Sequence, residues 1–338
     1  MTEAFVVAED LHREAILIDA VCPLLDDPSR VAEYVAGGVD IVAPTLATLE
    51  GAAVTLRKIG HWHRLLRERD DLILVRTASD IRRAKQQGKT GIIFHFQGPG
   101  PVEDSVDLVD AYKALGINIM QLAYNLKNRL GDGCEERTDA GLSRFGLQIV
   151  ERMNTVGMIV DCSHTGVQTT MDAIEYSTAP VIISHANAKA VHPSPRNVPD
   201  ELIKAIAANG GTIGVVGFPA FVSADKRPTI DQFIDHIVHI ADLVGVEHVT
   251  LGIDYYDGQS PYATEADAQE MYESLVACGM WSPAAYPAPP HHYPAGIETP
   301  RTMLELTRAM LRRGFQPNDI RKVYGENLLR IYRNVWGE

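Results

Sequence analysis

The sequence predicts an α/β fold, a single closed (β/α)8 barrel of the TIM type with helices appended at its C-terminal end. Three observations predict it. Eight short, near-continuous apolar runs of strand length recur along the chain, the pattern of parallel strands buried on both faces. Helical patterns that stop at glycine fill most of the intervals between them. The length, 338 residues, suits one such barrel with insertions. The rival architecture, a doubly wound open sheet, usually carries a Gly-rich phosphate loop after its first strand. Here the first strand runs into Cys22-Pro23-Leu24-Leu25, with no GxGxxG.

Taken in order, strands are expected over 16–21, 39–44, 91–97, 117–124, 158–163, 180–185, 212–217 and 248–254. A helix over 105–115 sets Val106, Val109 and Leu115 on one side and stops at Gly116. A second, over 143–156, carries Phe145, Ile149, Val150 and Met153 and stops at Gly157. A third, over 200–208, begins at a capping Asp200 and ends at Asn209-Gly210-Gly211. Helices over 229–244 and 299–313 follow the same logic, and 317–335 reads as a closing helix with Pro317 at its start. No linker divides the chain, so residues 1–338 form one domain: strands over about 16–254, then a C-terminal loop and helices over 255–338. The Pro-rich stretch 282–294 falls after the eighth strand, as a loop at the catalytic end.

Composition removes several function classes. An apolar fraction of 46% argues against disorder. With 31 Lys+Arg against 44 Asp+Glu the net charge is −13, the opposite of what phosphate or an anionic membrane surface attracts, so neither nucleic acid nor membrane is an expected partner. The four cysteines, Cys22, Cys134, Cys162 and Cys278, form no CxxC pair and read as thiols of a reducing compartment. No run approaches the roughly 18 apolar residues of a membrane span. The segment Met1–His12 lacks a signal peptide's basic start and apolar core. The expectation is a soluble, cytoplasmic protein acting on a small molecule.

In a barrel of this kind chemistry gathers where the strands end. Those ends carry His95-Phe96-Gln97, Tyr124-Asn125, Asp161-Cys162-Ser163-His164, Ser184-His185-Ala186-Asn187 and Asp254-Tyr255-Tyr256-Asp257. His164 and His185 sit on successive strands, which lie about 4.8 Å apart. As neutral imidazoles they could share a divalent metal, or each could simply be hydrogen-bonded at the rim. Asp254 suits a proton acceptor beside an activated water, or a helix cap. His95 and Gln97, two apart, point to one face. Arg196-Asn197 follows Pro193-Ser194-Pro195, where a guanidinium can hold a carboxylate in bidentate fashion or lie free on the surface. His291-His292 reads as site or bystander, His61 and His63 as surface or packing residues, and Cys162 as an inert core thiol.

The segment Gly141-Leu142-Ser143-Arg144-Phe145-Gly146, then Met153-Asn154, Gly157-Met158, Val160-Asp161 and Ser163-His164, resembles the membrane (renal) dipeptidase family of the amidohydrolase superfamily. The resemblance continues through Ser184-His185-Ala186-Asn187, Pro195-Arg196-Asn197, Gly210-Gly211 and Gly252-Ile253-Asp254 to Gly325-Glu326-Asn327-Leu328-Leu329-Arg330. It implies a barrel hydrolase that cleaves dipeptides with two glutamate-bridged zinc ions. It also implies that His164 and His185 bind the second zinc, that Arg196 holds the substrate carboxylate, and that Asp254 manages protons at the attacking water. A homodimer is the family's usual state.

The first metal site does not carry over. The family's Asp-Gly-His-Asn-Asp pattern reads here Asp19-Ala20-Val21-Cys22-Pro23, with Val21 in the place of the histidine and Pro23 in that of the second aspartate. Gln97 replaces the bridging glutamate, and Tyr124 replaces the substrate-side histidine. Loss of these charges leaves at most one zinc or other divalent ion per chain, on His164 and His185 with Gln97 or His95 as further candidates, or none. Cys22 or Asp26 could have moved into the vacated place. Three readings follow: a one-metal hydrolase of amide or peptide-like bonds in a small carboxylate-bearing substrate, oriented by Arg196, Asn197 and Tyr124; a metal-free or non-hydrolytic enzyme on a small amino acid derivative; and an inactive homologue.

Overall fold

The computed structural model describes residues 2–338, with side chains from Ala8 onward. The expectation about the N-terminal segment rests partly on Met1 and the side chains before Ala8, which lie outside the described residues. Among the described residues ten strands form one parallel sheet: β1 (Ile18–Cys22), β2 (Ile41–Ala47), β3 (Leu72–Leu74), β4 (Thr90–Ile92), β5 (Phe94–Phe96), β6 (Ile117–Gln121), β7 (Ile159–Asp161), β8 (Ile182–Ile183), β9 (Thr212–Val215) and β10 (Val249–Leu251). The order is β10-β9-β8-β7-β6-β5-β2-β4-β3, with β1 attached to β2 alone.

The closed eight-stranded barrel expected from the sequence is not what forms. The sheet curls but stays open, because no ladder joins β1 to β10. Two features account for this. The register of β1 against β2 shifts between Asp19 and Cys22, which turns the strand out of line. At the seam the Asp19 side chain, rather than a backbone carbonyl, accepts the Ile253 N–H at 2.9 Å, and one backbone bond, Leu24 N–H to Tyr255 C=O, follows at 2.8 Å. At the other end β2 forks: its first half pairs with β4 and its second with β5. All eight expected strands are present, the 91–97 run being split into β4 and β5. β3 is an addition that three residues are too short to announce.

The pleat explains how one sheet carries both core and chemistry. Residues two apart share a face. On the concave face Ile18, Ile41, Ile93, Ile119, Ile159 and Ile182 make one buried layer, closed from beneath by Leu328, Ile331 and Tyr332 of the C-terminal helix Asn327–Trp336. Two residues further along, His95, Gln121, Asp161 and Ser184 turn the face polar, and on β2, where Ala43 follows Ile41, Thr45 does so four residues on. The convex face, with Phe94, Phe96, Met120, Val160 and Ile183, packs under the helices in a second, larger core. Burying each large apolar side chain contributes about 1.5–3 kcal/mol, so the isoleucine layer is the platform that fixes the polar one. Among the described residues no helix is long and apolar enough to cross a membrane.

Candidate active site

Asp161, at the end of β7, is fully buried and organises the polar layer. Its Oδ1 accepts from Ser163 N (2.9 Å), Ser163 Oγ (2.9 Å) and Ser184 N (3.0 Å). Its Oδ2 accepts from Ser184 Oγ (2.6 Å) and stands 3.1 Å from His95 Nε2. Burial opposes its charge, but His95, His185 and Ser184 outweigh it and hold the carboxyl well below the usual carboxylate range.

From this anchor the two strand-end histidines are aimed. Asn125 Nδ2 donates to the Met280 carbonyl (2.9 Å) and lies 3.1 Å from the Tyr286 hydroxyl, so Asn125 Oδ1 faces His164 Nδ1 at 2.6 Å and that ring nitrogen carries the proton. Ser184 Oγ has a single proton, which goes to Asp161. His185 Nδ1, 2.8 Å from the same oxygen, is therefore the donor to it. The bare Nε2 atoms of both rings then face each other 2.8 Å apart. Such a pair calls for one positive charge between its lone pairs. Burial first, then the neighbouring Arg196, push the pKa of both imidazoles well below its ordinary value and oppose that charge.

His164, Asn125 and Asp254 all have left-handed backbones, with φ of 61°, 59° and 66°. Each such conformation costs of order 1–3 kcal/mol in a non-glycine residue, and surrounding bonds hold it. For Asp254 the Tyr293 hydroxyl donates to its carbonyl. The glycine two residues earlier is required by close approach: a Cβ on Gly252 would stand 2.1 Å from the Ser184 carbonyl oxygen.

The remaining expected site residues are placed as follows. Asp254 and Gln97 line a cavity of about 300 Å³, together with Tyr124, Trp281 and Tyr286. Burial drives the Asp254 carboxyl up to about 8; Arg196 and Gln97 oppose this and Asp19 adds to it. Gln97 Nε2 donates to Thr45 Oγ1 at 2.8 Å. Tyr124 stacks on His164 at 4.1 Å, and its hydroxyl oxygen lies 3.2 Å from Trp281 Nε1. Arg196 is buried beside Phe221, its Nε 3.2 Å from the Tyr286 hydroxyl and its Nη2 donating to the His185 carbonyl at 3.3 Å. Asn197 Nδ2 donates to the carbonyls of His192 and Phe221, both at 2.8 Å. His95 is turned to Asp161, beneath the cavity rather than on its wall. His291 bonds Pro287 and Tyr256, and His63 bonds Leu115. Cys22 is buried, and Asp26 pairs with Lys58 at 2.9 Å.

The sequence places Asp161, Ser184 and Asn125 among the strand-end candidates but gives them no role, although an aspartate on the inward register of an apolar strand was a usable signal. It does not single out Trp281 and Tyr286, which arrive from a distant loop and give no local signal.

The donor set does not fit a two-metal centre. Val21 and Pro23 supply no ligand, and Gln97 is neutral and engaged with Thr45. Among the described residues no group of three or more His, Cys, Asp or Glu could hold a metal ion. Two imidazoles fall short of the three protein ligands that catalytic zinc usually takes. A tetrahedral ion with bonds of about 2.0–2.1 Å would also need their nitrogens about 3.3 Å apart.

A family model described as membrane dipeptidase (peptidase family M19) matches residues 33–280. A solved amidohydrolase from Pseudomonas aeruginosa is 35% identical, with a TM-score of 0.90 over 98% of this chain and 99% of that one. Dipeptidase verJ of Clonostachys rogersoniana is 29% identical over 86% of this chain and 67% of its own length. Dipeptidase tcpJ of Claviceps purpurea is 28% identical over 79% of this chain; the match spans 56% of that relative's length.

Proposed function

The chain belongs to the membrane dipeptidase family, and from that premise we propose that it is an enzyme acting on a small, carboxylate-bearing amino acid derivative without the family's two-metal centre. One observation carries this reading. The half of the site that survives is built and hydrogen-bonded, while the half that would hold the first ion offers no charged ligand. An inactive scaffold has no need of left-handed backbones, each costly, at Asn125, His164 and Asp254, all at strand ends.

In this reading Asp254 is the proton-transfer group. With its carboxyl raised to about 8 it is mostly protonated at neutral pH, so it acts first as an acid, giving its proton to a leaving or developing anionic atom of the substrate. Gln97 and Tyr124 present polar atoms to the same cavity and orient the substrate. Arg196 supplies a fixed positive charge behind Tyr286, which favours a substrate carboxylate on that side.

A one-metal hydrolase is the second reading. It is favoured by the convergent Nε2 atoms of His164 and His185, whose Nδ1 protons are both committed elsewhere. Metal analysis of protein purified without added zinc separates the two, alongside turnover on dipeptides and N-substituted amino acids before and after EDTA. The proposal expects well under one equivalent of bound metal and turnover that EDTA leaves intact. One equivalent that is lost, together with activity, in His164→Ala refutes it and supports the metal hydrolase.

A further inference from the structure

We propose that the cavity over Asp254 is a site for an alkylated ammonium group, the cationic end of a small ligand. This deepens the reading above by naming the ligand class. The carboxyl groups lining the cavity are Asp257 and Asp254, the latter mostly protonated until a cation binds; among the described residues no lysine, arginine or histidine lines it. Five rings, Tyr124, Phe218, Tyr256, Trp281 and Tyr286, line it as well. A cavity walled by aromatic rings and lined by no basic side chain attracts positive charge through the ring faces, and a cation bound there favours the ionised form of the adjacent carboxyls.

The rings brace one another. Trp281 stacks on Tyr286 at 4.4 Å, Phe218 meets both edge-on at 5.8 and 5.5 Å, and Tyr256 meets Trp281 at 5.7 Å. Such a box is set before a ligand arrives, so little ordering is needed on binding. About 300 Å³ is the lower end of ligand cavities, enough for one small molecule.

Alkylation follows from the character of the wall. A primary ammonium brings three N–H donors, best met by acceptors that converge on one point. Here the oxygens of Asp254, Asp257, Thr45, Thr48 and Gln97 are interspersed with the rings, Leu275 and the thioethers of Met271 and Met280. Methyl groups on nitrogen remove those donors and spread the charge over carbon that rings and thioethers contact well. The ligand's own cation thereby restores positive charge near the place where the family's metal ligands are missing.

The test uses the full-length protein after EDTA treatment, with tetramethylammonium, ammonium and the neutral isostere neopentyl alcohol as probes at constant ionic strength. Binding is read by calorimetry and by quenching of Trp281 fluorescence. Tetramethylammonium should saturate one site per chain and bind at least about tenfold more tightly than either other probe, as a desolvated cation–π contact allows. Trp281→Leu and Tyr256→Leu should each weaken it about fivefold or more, with circular dichroism and thermal midpoint showing both variants folded. Trp281→Phe, which keeps a ring, should recover part of the loss. Equal affinity for neopentyl alcohol, absence of saturable tetramethylammonium binding, or binding unchanged in folded Trp281→Leu overturns the proposal. Because no turnover or metal is involved, failure here leaves the functional reading standing, and a tightly held metal refutes that reading without touching this one.

Discussion

Replacing Asp254 by asparagine should make the protein more stable at neutral pH while abolishing its turnover. Asp254 is half-buried at the cavity wall, and loss of water around its carboxyl is the largest cause of its displacement from 3.8 to about 8. Between those two values the folded chain keeps a proton that the unfolded chain has released. Stability therefore falls as pH rises from about 4 to about 8, and this cost is absent below about 4. Each pH unit in that window is worth about 1.4 kcal/mol, so the carboxyl costs about 4 kcal/mol at pH 7. Repulsion by Asp19 is a smaller part of the same displacement, and asparagine still places a polar amide at this position. The net gain from Asp254→Asn should then be about 2–3 kcal/mol at pH 7. Urea unfolding of both proteins from about pH 4 to pH 8 measures it. The variant should be slightly the less stable at the acid end, where only its amide counts, and should gain steadily on the wild type towards pH 8. Parallel profiles, or a variant less stable at pH 7, would refute the reasoning: Asp254 would then be an ordinary ionised carboxylate and a poor proton donor.

Three further outcomes follow from the same layer of residues. His164 and His185 have pKa values held below the ordinary histidine range, chiefly by burial, so below about pH 6.5 the unfolded chain binds protons that the folded chain refuses. Stability should drop on acidification, and less steeply in His185→Asn, as urea midpoints at pH 5 and 7 will show. Asp161→Ala strips the acceptor from two serine hydroxyls, two backbone N–H groups and His95; a loss of at least about 3 kcal/mol in chemical unfolding is expected, and less than 1 kcal/mol would count against its role as anchor. Gly252→Ala forces a methyl to within 2.1 Å of the Ser184 carbonyl, which should cost about 1–3 kcal/mol and lower the thermal midpoint.

Much of this protein is written locally. Apolar runs such as Ile117–Met120 and glycine stops such as Gly116 and Gly157 depend on a residue and its near neighbours, so eight of the strands, and helices such as Asp200–Ala208, are legible in the sequence. The juxtaposition of His164 and His185 is legible for the same reason, since two successive parallel strands must place their ends side by side. The altered half-site is legible too, because Val21, Pro23 and Gln97 cannot do the chemistry of a histidine, an aspartate and a glutamate. What the tertiary structure alone decided depends on atoms far apart in the chain. Whether the sheet closes turned on Asp19 reaching Ile253 across the seam. Which imidazole nitrogen is bare turned on Asn125 and Ser184, and these are aimed by Met280 and Asp161. The aromatic wall was brought over Asp254 by a loop carrying Trp281 and Tyr286. Propensity and periodicity carry no information about such contacts, because hydrogen-bond direction and ring packing arise only once the isoleucine layer has fixed where each strand ends.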